Sequence, residues 1–280
     1  MHMDSDARAA SAGLTRGSAA RAVGSIVVAL LASLFLLFLV APIGGIVAAG
    51  GTQGLRQLGT DAELRGALLL TAVTATVATL LGMLGGTPVA YLLARRRFRG
   101  HALLAAIIDL PLLIPHPVAG IALLLVLGRE SVVGQAALRV GLRVVGTPVG
   151  IVAAMLFVSA PLFVSAAREA FARVDVRYEA VARTLGDRGW RVFRRVTLPL
   201  SRRGLVAAAV VMWARAVSEF GAIVVLAYNP KVASVLSFDR FTSFGLPQAL
   251  PVAAVLVLLA LVPLTLLRAL RYERGAGDMT

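Results

Sequence analysis

The chain has 280 residues, of which 59% are hydrophobic and 15% are charged, and its formal net charge at pH 7 is +14. Its mean hydropathy of +0.86 excludes an ordinary soluble protein and predicts an all-α, polytopic membrane protein. The basic residues lie in clusters between apolar runs rather than on one continuous face, so the charge does not indicate nucleic-acid binding. The chain has no cysteine, which excludes disulfides and thiolate metal sites.

The N-terminal part is predicted to be a tail followed by a membrane helix. Residues 1–20 are rich in Ala, Ser, Gly and Arg and are expected to be flexible. The apolar run at 23–47 is longer than the core of a signal peptide, so residues 21–62 are expected to hold a retained transmembrane helix and an external loop. A membrane-spanning helix needs about 20 apolar residues, and five later runs meet this requirement. They are residues 67–94, 103–127, 149–167, 205–228 and 251–267.

The third of these six spans is rich in proline. Pro111, Pro115 and Pro117 remove backbone donors, so they are expected to kink or interrupt the helix. His116 lies between two of these prolines, and the other two histidines lie outside the spans, so a metal site is not indicated. His116 is left with two interpretations, a structural hydrogen bond and a donor that lines a translocation path.

An arginine-dense segment, residues 168–203, separates the fourth and fifth spans. Good helix formers predict a helix over 178–185, and Gly186 stands where that helix would end in a left-handed residue. Asp187 is placed to cap a second short helix that runs to about Val196. Pro199 is expected to stop this second helix before the chain re-enters the membrane.

The two short helices carry apolar residues at helical spacing, namely Leu185, Trp190, Phe193 and Val196. Helices of this length are too short to be stable alone in water. A generic basic connection between spans would need no apolar face, so the pattern favours insertion into a groove on a partner protein.

The distribution of Lys and Arg predicts the orientation. Twenty of the 28 basic residues lie in both terminal regions and in the segments 95–101 and 168–203, which are therefore placed in the cytoplasm. The segments 129–147 and 229–248 are expected to lie outside. The protein is thus expected in the plasma membrane with both termini in the cytoplasm, and residues 272–280 form the C-terminal tail.

Two charged residues lie within the fifth span. Arg215 and Glu219 are four residues apart and so share one helix face. Each charge costs roughly 2.5 to 3.5 kcal/mol at bilayer depth, so such residues usually pair and face a bundle interior or a water-filled cavity. One interpretation is a structural pair that locks helix packing. The other is that Arg215, Glu219 and the intervening Ser218 line a path or gate, where Arg215 attracts a dianion.

Three motifs carry a family resemblance. The cytoplasmic segment reads RTLG at 183–186 and VTLPL at 196–200, the fifth span contains ARAVSEFGA at 214–222, and the third contains DLPLLIPHPVAG at 109–120. Over residues 63–271 the chain resembles the membrane subunit of binding-protein-dependent ABC importers. Within these it is most similar to the molybdate/tungstate permeases, and sulfate permeases are the nearest relatives of that group.

The resemblance implies a MetI-like, type I transmembrane domain whose cytoplasmic loop docks on an ATPase. The family consensus is Glu-Ala-Ala, three residues, Gly, nine residues, Ile, one residue and Leu-Pro. Aligned on Gly186, the consensus Glu is replaced by Ala180, and Glu179 stands one residue earlier. The ATPase-coupling residues that the resemblance implies are Glu179, Ala180, Ala182, Arg183, Gly186, Leu198 and Pro199.

The implied function is a channel-forming permease that imports a tetrahedral oxyanion by alternating access. Molybdate or tungstate is the first candidate substrate, and sulfate, thiosulfate or another anion is the alternative. The implied partners are two ATPase subunits, an extracytoplasmic binding protein and a second copy of the chain. The sequence has no phosphate-binding loop and no catalytic constellation, so no enzymatic activity and no cofactor are expected, and a separate subunit hydrolyses ATP. A secondary transporter or channel is a more remote alternative, because it would need coupling-ion or filter residues of its own within the spans. A membrane enzyme is also disfavoured, because it would need a nucleophile or a metal cluster.

Overall fold

A computed structural model describes the backbone of residues 3–275 and the side chains of residues 24–263 and 265. Every regular element within this part of the chain is a helix. The chain divides into two compact units, Met1–Ala49 and Gly50–Thr280, and the contacts below lie in the second. The elements are α1 Met3–Thr60, α2 Ala62–Arg95, α3 His101–Leu113, α4 His116–Leu127, α5 Val132–Arg139, α6 Pro148–Ala172, α7 Val176–Thr184, α8 Gly189–Val192, a π-helical turn Phe193–Thr197, α9 Leu198–Val217, α10 Gly221–Leu226, α11 Ala233–Phe244 and α12 Leu246–Gly275.

The helices account for the predicted membrane spans. Among the residues that the structure describes, five stretches are long and apolar enough to cross a bilayer. The helices α3 and α4 meet at a bend of 114°, and together they supply a sixth crossing when they are counted as one broken span. The all-α, polytopic prediction is confirmed. The five long stretches are Gly24–Thr60, Ala62–Arg95, Pro148–Ala172, Gly189–Val217 and Leu246–Pro263.

Residues 21–62 were expected to hold a transmembrane helix and an external loop, and throughout this range the chain is helical up to Thr60, with only Asp61 between α1 and α2. The glycines here serve close helix packing rather than a turn. A β-carbon at Gly50 would collide with the backbone of Leu250, and one at Gly54 would collide with Pro251. The helix backbone also includes residues assigned to the N-terminal tail, and the division of the chain into segments stays a prediction.

The core is built around α6, which packs against α2 and α9. Small residues on α2 allow this approach, since a β-carbon at Gly86 would lie 2.8 Å from the ring of Phe163 on α6. The buried hydroxyls of Thr71 and Thr79 donate to carbonyl oxygens four residues earlier, so no polar group of these threonines is left unpaired. These three helices form the scaffold that holds the segment 168–203 at one end.

Two membrane-spanning stretches are broken, and their breaks lie together. The third breaks between α3 and α4, as the prolines predict. The fifth was predicted as one helix over 205–228, which is wrong, because α9 ends at Val217 and α10 starts at Gly221. The short helices α4 and α10 pack closely through glycine, since a β-carbon at Gly120 would lie 2.8 Å from the carbonyl oxygen of Ala222.

Pro199 does not stop the second cytoplasmic helix, contrary to the prediction. The helix α8, the π turn and α9 form one continuous helix, and Pro199 lies in the first turn of α9. The backbone N–H of Leu198 bonds to the carbonyl of Phe193, which widens the helix directly before the proline ring. A π turn of this kind accommodates a residue that would otherwise break the helix.

Candidate functional site

The first candidate site is the segment between α6 and α9. Asp175 caps α7 by accepting a hydrogen bond from the backbone N–H of Arg177. The helix ends as predicted at Gly186, whose φ of 90° is in the left-handed region. The N–H of Gly186 bonds to the carbonyl of Arg183, and the N–H of Asp187 bonds to that of Ala182. This pattern is a Schellman motif, which explains why glycine stands at this position.

The predicted role of Asp187 as a helix cap is wrong. The cap position of α8 is Arg188, and no side chain bonds to the helix there. Asp187 is already used in the turn that closes α7, so α8 begins one residue later. Its carboxylate instead accepts a hydrogen bond from Arg195 at 3.1 Å.

An exposed apolar patch covers the outer side of α7 and α8. Leu185 is 82% exposed and Trp190 is 70% exposed. Phe193 was expected to seek a partner protein, but its ring packs within the chain against Tyr91 and Phe171, and Val196 is half-buried. The exposed patch therefore differs from the predicted apolar face, which also included Phe193 and Val196. Its members are Tyr178, Val181, Leu185 and Trp190.

Glu179 lies on the inner side of α7 and is only 3% exposed. Its Oε1 accepts hydrogen bonds from Nε of Arg95 and from Oγ1 of Thr197, each at 2.8 Å. Its Oε2 accepts from Nη2 of Arg183 at 3.1 Å. Arg95 had been counted in the sequence only as a cytoplasmic charge, and no local signal links residues 84 positions apart.

The other residues of the implied coupling set lie close by. Ala182 is buried beside Glu179, whereas Ala180, which takes the place of the consensus Glu, is exposed. Leu198 packs into the core cluster around Phe171, and Pro199 is exposed.

The second candidate site is a charged cluster of His116, Arg215, Ser218 and Glu219. Nη2 of Arg215 donates to Oε2 of Glu219 at 2.9 Å, so the two residues pair as predicted. Nδ1 of His116 lies 2.7 Å from the same carboxylate oxygen. Nη2 of Arg215 also lies 2.9 Å from Nε2 of His116. The two breaks in the membrane helices therefore meet at one carboxylate.

The backbone fixes Glu219 while its partners remain accessible. Oε1 of Glu219 accepts a hydrogen bond from the N–H of Ala222, and its carbonyl oxygen accepts one from the hydroxyl of Ser234. Nη1 of Arg215 donates to Oγ of Ser218 at 3.3 Å. Glu219 is 1% exposed, but His116 is 42% exposed. The cluster thus combines an immobilised negative charge with an arginine and a histidine that keep accessible surface.

A further intramembrane carboxylate was quoted in a motif but given no role. Asp109 of α3 is half-buried and accepts a hydrogen bond from the hydroxyl of Ser165 at 3.3 Å. Among the residues that the structure describes, no group of three His, Cys, Asp or Glu could hold a metal ion.

The other end of the second unit is tied by ion pairs. Arg240 of α11 binds Asp61 at 2.6 Å and Glu63 at 3.1 Å. Lys231 binds Asp239 at 2.7 Å. The hydrogen bond from Lys231 is the main reason that the pKa of Asp239 lies below its ordinary value.

Residues 86–272 match the family described as the binding-protein-dependent transport system inner membrane component. The chain belongs to this family. Its relatives in the family include the molybdate/tungstate transport system permease protein of Thermococcus kodakarensis, which is 41% identical over 204 residues, or 73% of this chain and 77% of the relative. The sulfate transport system permease protein of Escherichia coli is 31% identical over 220 residues, or 77% of this chain and 79% of the relative.

Solved structures of other ABC transporters show the same fold. The bacterial alginate ABC transporter in complex with its pentasaccharide-bound periplasmic protein matches with a TM-score of 0.64 at 18% identity, covering 83% of this chain and 88% of that one. The inward-facing MetNI methionine ABC transporter matches with a TM-score of 0.59 at 16% identity, covering 74% of this chain and 94% of that one. The predicted MetI-like transmembrane domain is confirmed.

Proposed function

We propose that the chain forms the channel of an ATP-driven importer for a tetrahedral oxyanion, with molybdate or tungstate as the substrate. The permease of Thermococcus kodakarensis supports this substrate, since its name specifies molybdate and tungstate and its identity of 41% exceeds the 31% of the sulfate permease. Sulfate or thiosulfate is the second candidate, because the sulfate permease covers a comparable share of the chain.

The exposed apolar patch around the left-handed Gly186 is the observation that supports coupling to an ATPase. Burying one large apolar side chain is worth about 1.5 to 3 kcal/mol, and most of this is unrealised at Leu185 and Trp190 in the single chain, although Trp190 stacks on Phe193. Arginines surround the patch, for example the exposed Arg188 and Arg191. A partner with an apolar groove and an acidic rim would complement both properties.

The charged cluster supports the passage of an anion. Arg215 and His116 keep accessible surface while Glu219 balances the charge of the arginine. A gate of this kind attracts a dianion without presenting an uncompensated positive charge inside the membrane. The cluster also locks the junction of α4 and α10, so the structural and the path-lining interpretations are both retained.

The proposed mechanism is alternating access. ATP binding closes two ATPase subunits, α7 and α8 move with them, and the broken spans repack so that a substrate cavity opens to a binding protein outside. Each chain carries one docking segment, so two ATPase subunits imply two copies of the chain. A secondary transporter or channel is the more remote alternative, and the exposed docking patch does not favour it.

The proposed orientation places the docking patch in the cytoplasm and α5 outside. Because the chain has no cysteine, Arg97→Cys and Val132→Cys give unique labelling sites at two exposed positions. In right-side-out vesicles an impermeant maleimide should label Val132→Cys only. Labelling of Arg97→Cys from the same side would overturn the orientation.

Copurification tests the docking proposal. Leu185→Asp places a charge in the exposed patch and should reduce recovery of the ATPase at least about tenfold, since roughly 1.4 kcal/mol of burial is lost. Val132→Asp is the matched control, because Val132 is a similarly exposed apolar residue on α5. Equal ATPase recovery with both variants would show that the patch is not the docking surface.

A further inference from the structure

We infer that Arg95 and Glu179 form a joint that transmits movement of the docking helices to α2 and α9. Both are positioning residues, because they act through the helices they connect and not on the transported anion. The inference rests on the proposed coupling to an ATPase, and it assigns to Glu179 a role other than contact with that partner.

The joint connects four segments through buried polar contacts. Glu179 belongs to α7 and accepts hydrogen bonds from Arg95, at the end of α2, and from Thr197, directly before α9. Nη2 of Arg95 also donates to the carbonyl oxygen of Val174 at 2.8 Å, which ties the turn between α6 and α7 to the same guanidinium. A displacement of α7 therefore acts at once on the ends of α2 and α9.

Burial makes these contacts decisive for the position of α7. A buried charge is strongly destabilising when one of its partners is removed. The buried side chains of α7 are Glu179 and Ala182, while its larger apolar residues are exposed. Apolar packing consequently holds α7 only weakly, and the carboxylate determines where the helix lies.

The inner placement of Glu179 also explains the departure from the family consensus. Successive residues of an α-helix are rotated by roughly 100°, so an acidic residue one position earlier points in another direction. Ala180, at the consensus position, is exposed, whereas Glu179 faces the bundle. A partner that docks on the outer side of α7 meets Ala180 and not the carboxylate.

The helix α9 connects this joint to the charged cluster. It starts directly after Thr197 and ends at Val217, close to Arg215 and Glu219. Its 20 residues span about 30 Å. A rigid helix with the joint at one end and the cluster at the other can convert a shift of α7 into a change at the gate.

Transport stoichiometry in proteoliposomes tests the joint. The complete transporter, with its ATPase and binding protein, is supplied with molybdate, and uptake and ATP hydrolysis are measured together. Glu179→Gln keeps the shape of the side chain but removes its charge. We expect it to retain the ATPase and to hydrolyse ATP, while molybdate imported per ATP falls about tenfold, the effect of losing one charge-assisted hydrogen bond.

Glu169→Gln is the matched control, because Glu169 is an exposed acid that pairs with Arg173 at 3.9 Å in the same segment. Its stoichiometry should equal that of the wild type. An unchanged ratio of molybdate to ATP in Glu179→Gln would overturn the inference. Loss of ATPase recovery in this variant would also overturn it, because Glu179 would then be a docking contact. Absence of ATP-driven uptake in the wild-type complex would instead contradict the proposed function.

Arg95→Lys provides an independent test if Glu179→Gln does not reach the membrane. Lysine keeps the charge but cannot donate to Glu179 and Val174 with the fixed geometry of a guanidinium. We expect the same direction of change in molybdate per ATP, with normal ATPase recovery. A wild-type ratio in Arg95→Lys would overturn the inference.

Discussion

Two buried carboxylates, Glu179 and Glu219, bind arginine in different surroundings. Glu179 receives donors from Arg95, Arg183 and Thr197, and it ties together segments at one end of the helical bundle. Glu219 is held by the backbone of α10, and it shares Arg215 with the accessible His116.

We propose that this difference lets one residue type serve two functions. A carboxylate enclosed by the chain's own donors fixes the relative positions of helices and is unavailable to a partner. A carboxylate whose partners remain accessible sets the charge of a site that a ligand can reach. The following predictions test this distinction in order of decreasing expected effect.

The largest effect is expected from separating Arg215 and Glu219. Arg215→Gln and Glu219→Gln should each cost about 3 to 5 kcal/mol, because each leaves a poorly solvated charge unpaired. The double variant should recover stability. If Arg215 also attracts the anion, the double variant should not recover molybdate uptake.

Thermal unfolding and uptake of the two single variants and the double variant form a double-mutant cycle. Additive losses in both measurements would show that Arg215 and Glu219 do not interact.

A smaller effect is expected at the turn beside Glu179. Gly186→Val forces a β-branched residue into a left-handed conformation, which costs about 1 to 3 kcal/mol, and should weaken recovery of the ATPase. Gly189→Val is the control, since a β-carbon meets no atom within 4 Å at either glycine but only Gly186 has a positive φ. Equal ATPase recovery from the two variants would refute the role of this turn in docking.

Three hydrogen-bond donors enclose Glu179, and we expect a further, smaller effect when one of them is removed. Thr197→Val preserves shape but removes the buried hydroxyl that donates to Glu179, so unfolding should become easier by about 1 kcal/mol. Thr184→Val is the control, because that exposed hydroxyl bonds only to the local carbonyl of Val181. The midpoint of denaturant unfolding should fall for Thr197→Val alone, and an equal fall for Thr184→Val would contradict the comparison.

The smallest effect is expected from the ion pairs around α11, which are only partly buried. The pKa of Asp239 is lowered in the folded protein from an ordinary value of 3.8, so its contribution to stability is present above that value and is lost as the pH falls through the lowered pKa. Asp239→Asn should reduce stability by at most about 1 kcal/mol at pH 7. Thermal unfolding should show this difference vanishing at acid pH, and a difference that persists there would exclude the ion pair as its cause.

Local sequence patterns predicted those features that depend on neighbouring residues. The left-handed Gly186 follows from its place after a helix, and the Arg215 pair follows from a spacing of four residues. His116 and Arg95 could not be assigned in this way, because their carboxylate partners lie 103 and 84 residues away.

Tertiary packing and an unusual helical turn also changed the consequences of a glycine and a proline. An external loop was expected within residues 21–62, but Gly50 lies in α1 and allows that helix to contact α12 closely. Pro199 was read as a stop signal, but the preceding π turn makes room for its ring. The structural consequences of this glycine and this proline therefore depended on neighbours distant in sequence or on an unusual helical turn.

The most direct test of the central claim is molybdate uptake by proteoliposomes that contain the wild-type chain with its ATPase and binding protein. We predict accumulation that requires ATP on the side of α7 and α8 and binding protein on the opposite side, with tungstate competing more strongly than sulfate. Uptake that continues without ATP, or that an ion gradient alone can drive, would contradict the account.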